Sequence, residues 1–188
     1  MAEDSPKIIV EHHGPYRVVG GVPLLRKEPV MSEHGEPLTW RTGKAYNLHG
    51  NYTLCRCGKS TNMPFCDDSH ESGGFDGTET ADPGAFNDRM KSYEGTGIIV
   101  KDDRALCTHA GFCGSRSTNV WKMTRQTEDT TVRAQVIAMV ERCPSGALTY
   151  AMAPSEEDVE PDLPKSIAVT PDGPLWVSGG ILVERGDG

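Results

Sequence analysis

The stretch Cys55-Arg56-Cys57-Gly58-Lys59-Ser60-Thr61-Asn62-Met63-Pro64-Phe65-Cys66-Asp67-Asp68-Ser69-His70 puts three thiols and an imidazole in one short loop. Thiolates select soft metals and iron–sulfur clusters, and imidazole is a compatible fourth ligand. Donors this close need no distant part of the fold to gather them. Cys55 and Cys57 alternate about one residue, so an extended backbone aims both thiols to one side. Pro64 stiffens the approach to Cys66. His70 follows one helical turn after Cys66, so both can face one point. From the residues alone the loop is an iron–sulfur site or a zinc knuckle, and its first pair is spaced more tightly than zinc sites usually are.

The run resembles the CDGSH iron–sulfur family, whose pattern is Cys-x-Cys-x2-Ser/Thr-x3-Pro-x-Cys-Asp-Gly-Ser/Ala/Thr-His. Cys55, Cys57, Ser60, Pro64, Cys66, Asp67, Ser69 and His70 match it, and Asp68 stands where the family has Gly. The resemblance implies a [2Fe-2S] cluster, with Cys55 and Cys57 on the inner iron and Cys66 with His70 on the outer, more exposed one. Arg56 and Lys59 flank the ligands and are expected to hydrogen-bond the sulfurs or offset their charge. Ser60 and Thr61 are further candidate donors around them.

The other three cysteines also form a pattern. Cys107-Thr-His-Ala-Gly-Phe-Cys113 is followed much later by Arg142-Cys143-Pro144-Ser-Gly-Ala-Leu148. A cysteine loop closed by a remote Cys-Pro is the ferredoxin arrangement. Ala110 stands where a four-cysteine loop has its middle thiol. The pattern resembles single-cluster, three-cysteine ferredoxins and the divergent mono-cluster domain often found beside CDGSH modules. Three thiolates suit a [3Fe-4S] cluster; a [4Fe-4S] cluster needs His109 or another non-cysteine group on the fourth iron. The alternative is three structural thiols in a small domain.

Composition sets limits. The chain has 188 residues, a formal net charge of -8, 36% hydrophobic and 6% aromatic residues. Modules this short of apolar core commonly rely on metal for stability. The opening Met-Ala-Glu-Asp-Ser is acidic and polar, unlike a signal segment, and no long apolar run offers a membrane span. The expectation is a cytoplasmic protein, unlike the membrane-anchored animal members of the CDGSH family. The acidic balance argues against nucleic acid and favours a redox partner with a basic docking face. A homodimer or a larger redox complex is compatible with it.

The patterning predicts an α+β chain: a small β-rich CDGSH module with a cluster-binding loop and short helix over 1–80, and a ferredoxin-like α/β module over 97–153. A connection is expected over 81–96 and an acidic, solvated linker over 154–165. Strands are expected at 8–10, 16–19, 22–25, 51–54, 98–100, 119–123 and 148–152. Residues 31–45 read as polar and turn-rich, anchored by Trp40. Thr131 to Arg142 is the best helix, with Val132, Val136, Met139 and Val140 on one face; Cys143-Pro144 ends it.

An internal repeat then appears. Ile8, Val10, Gly14, Pro15, Val18, Gly20 and Gly21 recur as Ile167, Val169, Gly173, Pro174, Val177, Gly179 and Gly180 at one fixed offset. Residues 166–188 thus read as a partial CDGSH repeat, strands only. A counterpart of Cys55 falls beyond residue 188, so either the half-repeat is vestigial or a second cluster loop lies further on.

No nucleotide-binding glycine motif and no catalytic constellation is visible. Two dissimilar clusters point to a single-electron carrier between a reductase and an acceptor rather than an enzyme. The alternatives are a cluster donor, a redox or iron sensor, or a redox subunit of a larger complex. His12, His13, His34 and His49 read as surface or turn residues, and Trp121 and Trp176 as packing.

Overall fold

Tyr16-Arg-Val-Val19 alternates and then meets Gly20-Gly21, which both adopt left-handed backbone, at φ 80° and 64°. That pair ends one strand and turns the chain toward the next, which joins a different sheet. The computed structural model describes residues 5–155 and 157–186. The outer ends of the expected segments 1–80 and 166–188, and Glu156 of the acidic tract, lie outside the described residues. The fold is α+β, with three small sheets and a few short helices.

β1 (Lys7–Val10) and β2 (Tyr16–Val19) form a hairpin, and β5 (Tyr52–Leu54) adds to β2. β3 (Leu24–Met31) and β4 (Pro37–Ala45) form a longer hairpin in a second sheet. The end of the chain supplies β9 (Ser166–Val169), β10 (Leu175–Ser178) and β11 (Leu182–Glu184). Strands are exchanged between the two sheets. Ile8 faces Val18 on β2 and, in parallel, Val183 on β11. Ile167 faces Val177 on β10 and, in parallel, Leu24 on β3.

The register of β9 and β10 therefore reproduces that of β1 and β2 at the sequence offset. The special backbone follows: Gly179 and Gly180 have φ 79° and 64°, and Asp172 has φ 48° where His13 has 51°. A Cβ on Gly179 would run into the Lys165 backbone, so glycine is required there on two counts. One apolar core, including Ile8, Val18, Val22, Leu24, Leu54, Ile167 and Ile181, serves both halves.

Residues 37–45, read as turn-rich, are instead the strand β4. Nearly all of it is exposed, so it lacks the apolar alternation that marks a half-buried strand. Its ladder to β3, the Ser32–Glu36 turn (Ser32 N–H to Glu36 O, 2.8 Å) and Glu28 shared between Arg26 and Arg41 (2.8 Å each) hold it.

The second module is a sheet of β6 (Lys91–Gly95), β7 (Ile98–Asp102) and β8 (Leu148–Ala151), packed against α3 (Val120–Thr124) and α4 (Thr130–Glu141). Two shorter helical turns precede it, α1 (Ser69–Ser72) and α2 (Phe86–Arg89). The stretch expected to be connection, 81–96, thus holds α2 and β6. The helix expected over Thr131–Arg142 is present one residue earlier at each end. Asp129 caps it, accepting from the Thr131 N–H at 2.7 Å. The strand expected at 119–123 is a helix, because Asn119 accepts from the Lys122 N–H at 3.0 Å and starts one. Val120 and Met123 then face the core at helical spacing. The acidic tract is not wholly solvated: Asp158 pairs with the buried Lys101 at 3.0 Å, and the Val159 N–H donates to Tyr150 O at 2.8 Å.

Trp40 joins the modules. Its indole N–H donates to Arg142 O at 2.9 Å, and its ring lies 4.8 Å from Phe112 and 5.2 Å from Trp176. Arg142 and Phe112 immediately precede Cys143 and Cys113. Trp40→Phe, which keeps a ring and loses the N–H, should cost about 1 kcal/mol of unfolding free energy. Trp40→Ala should cost about 2–3 kcal/mol. Denaturant unfolding of both variants measures this.

Candidate metal centres

The first centre is assembled by backbone before any side chain is counted. Leu54 and Phe65 form an antiparallel bridge, the Cys55 N–H donates to Pro64 O at 2.8 Å, and the Cys66 N–H donates to Thr53 O at 3.1 Å. β5 thus carries Cys55 outward and pairs with the strand-like return that carries Cys66. The Ser60 hydroxyl donates to Phe65 O at 2.6 Å and accepts from the Asn62 N–H at 3.0 Å, closing the loop between them.

The four donors come together as two pairs. Cys55 Sγ and Cys57 Sγ are 3.7 Å apart, and Cys66 Sγ and His70 Nδ1 are 3.5 Å apart. Burial opposes ionisation of Cys55, but the backbone N–H groups of Ser60, Gly58 and Lys59 and the Cys57 thiol outweigh it and hold its pKa below the ordinary thiol value. Cys66 is pushed up, first by burial and then by the Asp68 carboxylate and Cys55. The Lys59 N–H points to Cys57 Sγ at 3.4 Å and the Asp68 N–H to Cys66 Sγ at 3.5 Å. These donors suit sulfur that carries negative charge.

Arg56 is engaged elsewhere. Its guanidinium donates to Glu11 O (3.3 Å), Gly77 O (3.0 Å) and Glu79 Oε1 (2.8 Å), with both side chains of the ion pair largely buried. It ties the loop to the first hairpin and to 77–79. The Lys59 ammonium donates to Gly73 O, beyond α1.

Two aspartates follow Cys66 and do different things. Asp67 accepts from the Ser69 hydroxyl at 2.6 Å, from the Thr61 N–H and hydroxyl at 2.8 Å each, and from the Ser69 N–H at 3.2 Å. These bonds hold its carboxyl well below the usual carboxylate range. They also join the two arms of the loop. Asp68 has φ 63° and ψ 11°, in the left-handed region. That conformation accounts for glycine at this place in the family pattern, and aspartate is among the few other residues that enter it. The ligand atoms of Cys66, Asp68 and His70 all lie within 4.8 Å of one another. Asp67 is a loop organiser that spacing alone does not reveal; its signal is the Thr61 and Ser69 hydroxyls on either side.

The second centre sits where three elements meet. Cys107 ends the helical turn Arg104–Leu106, Cys113 precedes α3 and Cys143 follows α4. All three line one cavity of about 140 Å³, together with Arg104, His109, Ala110 and Phe112. His109 turns the loop at φ 57°, and its N–H donates to Cys107 Sγ at 3.4 Å. Burial raises the Cys113 pKa, Arg104 opposes this, and Cys107 and Cys143 add to it. The loop is braced from below by Asp103, buried to 2% exposure, which pairs with Arg89 at 2.8 Å and accepts from the Ala105 N–H at 3.0 Å. Arg89 is another residue that the sequence pattern does not single out. The donor chemistry of both centres fits iron–sulfur ligation: three thiols with an imidazole in one, three thiols around a small cavity in the other.

The family comparison agrees with this geometry. Residues 13–71 match the family model for the iron-binding zinc finger of CDGSH type, and residues 93–153 match that for the divergent 4Fe-4S mono-cluster. The chain joins a CDGSH-type iron-binding domain to a divergent 4Fe-4S mono-cluster domain. No curated protein and no solved structure matches it. No helix among the described residues is long and apolar enough to cross a membrane. The loop from Cys55 to His70 lies within the first matched segment, and Cys107, Cys113 and Cys143 lie within the second.

Asp68→Gly should be accommodated without loss of stability. Asp68→Val should cost about 1–2 kcal/mol, because a branched side chain is strained at this φ; thermal unfolding and metal content distinguish the two. Asp67→Asn should loosen the loop at neutral pH. Because the folded pKa of Asp67 is depressed, its contribution is full above the unfolded value of about 4 and fades as pH falls through the folded one. The difference between wild type and Asp67→Asn in rate of metal loss should therefore be constant near neutrality and narrow below about pH 4.

Proposed function

We propose that this protein is a single-electron carrier with two dissimilar iron–sulfur centres. The observation that carries the reading is the division of Cys55, Cys57, Cys66 and His70 into two close pairs, each suited to one iron of a [2Fe-2S] cluster. The resemblance to the CDGSH family supports the same division. Cys107, Cys113 and Cys143 hold the second centre, a cubane-type cluster on three thiolates. It is [3Fe-4S] as the three thiols stand, and [4Fe-4S] when His109 or another non-cysteine donor closes the fourth corner.

When bound, the clusters supply reversible one-electron chemistry. The chain supplies the rest. N–H groups of Lys59, Asp68 and His109 aimed at sulfur stabilise the more negative, reduced state. Burial of Cys113 opposes it. The histidine donor sets the first centre's potential above that of an all-cysteine site. The acidic surface suits a reductase or acceptor with a basic docking face, and no catalytic residue of the chain's own is part of the proposal. The cytoplasm, a reducing compartment, is the proposed location.

One observation favours a second reading, that of a cluster donor or redox sensor. Asp68 is exposed beside the Cys66–His70 pair, so that end of the loop is open to an acceptor protein. Transfer of the intact cluster to an apo acceptor separates this from a carrier that cycles with its cluster retained.

Iron and sulfide counting with electron paramagnetic resonance on anaerobically purified protein tests the carrier proposal. Zinc without iron at the first loop would overturn it. His70→Cys should keep a cluster whose potential is lower than that of the wild type. The oxidised wild-type second centre should give a near-isotropic three-iron signal, and Ala110→Cys should replace it with a four-iron cluster that is diamagnetic when oxidised.

A further inference from the structure

β10 is the counterpart of β2 in the repeat, and the two differ on one side. The outer edge of β2 is taken by β5, which pairs Leu54, Thr53 and Tyr52 with Tyr16, Arg17 and Val18. The corresponding edge of β10, along Leu175, Trp176 and Val177, is open among the described residues: β10 ends its sheet, with β9 as its one neighbour. Nothing in Leu175-Trp-Val-Ser178 blunts that edge. It holds no charge, no proline and no bulge, the devices by which sheet edges refuse a further strand.

A cleft lies on each face of this edge, and Val177 lines both. Leu175 and Val177 pack toward the shared core and line a cleft of about 750 Å³ that reaches Cys55. Its walls are mostly apolar, with Tyr16, Leu54, Met63 and Pro64 among them; its charged groups are Arg56, committed to Glu79, and Asp172. Trp176 and Ser178 lie on the opposite face and line a cleft of about 890 Å³ that reaches Cys143. Glu141, Asp158, Glu160 and Asp162 line this second cleft, and no lysine or arginine does. Asp158 is offset by Lys101, and Glu141 accepts from the Tyr150 hydroxyl at 3.1 Å. Glu160 and Asp162 are exposed and carry no ion pair among the described residues.

We propose that the outer edge of β10 takes, as an added strand, an extended segment of a partner protein in which basic and apolar residues alternate. Successive side chains of a strand point to opposite faces. One set therefore enters the apolar cleft beside Cys55 and the other the acidic cleft beside Cys143. Main-chain hydrogen bonds supply affinity, and the two clefts supply selection. The inference deepens the carrier reading and rests on it for its purpose: the seated strand lies along walls that hold one ligand of each centre. The acidic tract of the chain itself does not take the edge, because the Ala151–Asp158 bridge and the Val159 N–H on Tyr150 O hold it to β8. A second copy is opposed by charge. Two-fold pairing of β10 with itself brings Glu160 and Asp162 toward their own copies, on a chain of net charge -8.

The test uses the full chain, purified anaerobically with its iron counted, and a short capped peptide that alternates lysine and valine. Calorimetry reads affinity and hydrogen exchange reads the place. Expected are saturable binding, slowed exchange at 175–178, and affinity that falls with salt. The double variant Glu160→Lys, Asp162→Lys should bind about tenfold more weakly. A peptide with the same lysines and valines in two blocks, and one that alternates glutamate and valine, should lose at least about tenfold. N-methylation of every second residue should abolish binding in one phase and spare it in the other, because an added strand bonds its neighbour through alternate residues. Equal binding of the alternating and blocked peptides would reduce the surface to a charge patch and overturn the inference. Protection confined to residues outside 175–178 would do the same, as would a dimer that the peptide dissociates, which seats a second copy at the edge. Protein with iron at both sites that does not bind the peptide overturns the inference alone. Protein that binds it at 175–178 and carries no iron overturns the carrier reading alone.

Discussion

Ile8 and Ile167 each lie between a hairpin partner close in sequence and a parallel strand from the opposite end of the chain. Neither hairpin is a stable unit alone, because a two-stranded ribbon in water is marginal at best. Each becomes one through the strand that the other half lends. The first cluster loop hangs from β5, the outer strand of one of these sheets, so its frame depends on residues 182–184. The Lys7–Glu184 ion pair at 3.0 Å lies on the same seam, although a partly exposed pair of this kind adds little by itself.

The two centres solve the same problem in different ways. In the first, the donors are local and the surrounding residues act mainly as braces: Ser60 on Phe65 O, Asp67 across the loop, Arg56 to the neighbouring hairpin. In the second, the thiols arrive on a helical turn, a loop and a helix end, and the scaffold must gather them. That scaffold has a real core, Ile98, Val100, Val120, Val136 and Val140 among it. It is set against the first module by Trp40, whose single hydrogen bond ends on the carbonyl before Cys143.

How much of this a reader of the sequence can see follows from which interactions are local. The loop from Cys55 to His70 is legible because spacing fixes it. So is α4, with its apolar face and its Cys-Pro stop. β4 is hidden because only Pro37 and Trp40 along it are even partly buried, and that leaves no period-two signal. Asn119–Met123 has residues that suit strand or helix, and a cap decides. The left-handed Asp68 shows only as a departure from a family pattern, and becomes meaningful once its φ is known. The Trp40–Arg142 bond and the Arg56–Glu79 pair span long separations that no periodicity encodes. The repeat at residues 8 and 167 is legible as identity, but that it means strand exchange requires the two registers.

The exchange has a consequence for synthesis. β1 and β2 leave the ribosome early, while β11 is made only after the whole second module. At bacterial or eukaryotic elongation rates the interval is on the order of ten seconds. During it the nascent first hairpin has an open edge, and the loop that bears Cys55 to His70 is held by an incomplete sheet. The ferredoxin-like module, whose strands and helices are contiguous from 91 to 151, is complete in the meantime. The chain thus matures from the middle outward, and the cluster loop written first in the gene is the one whose framework is finished last.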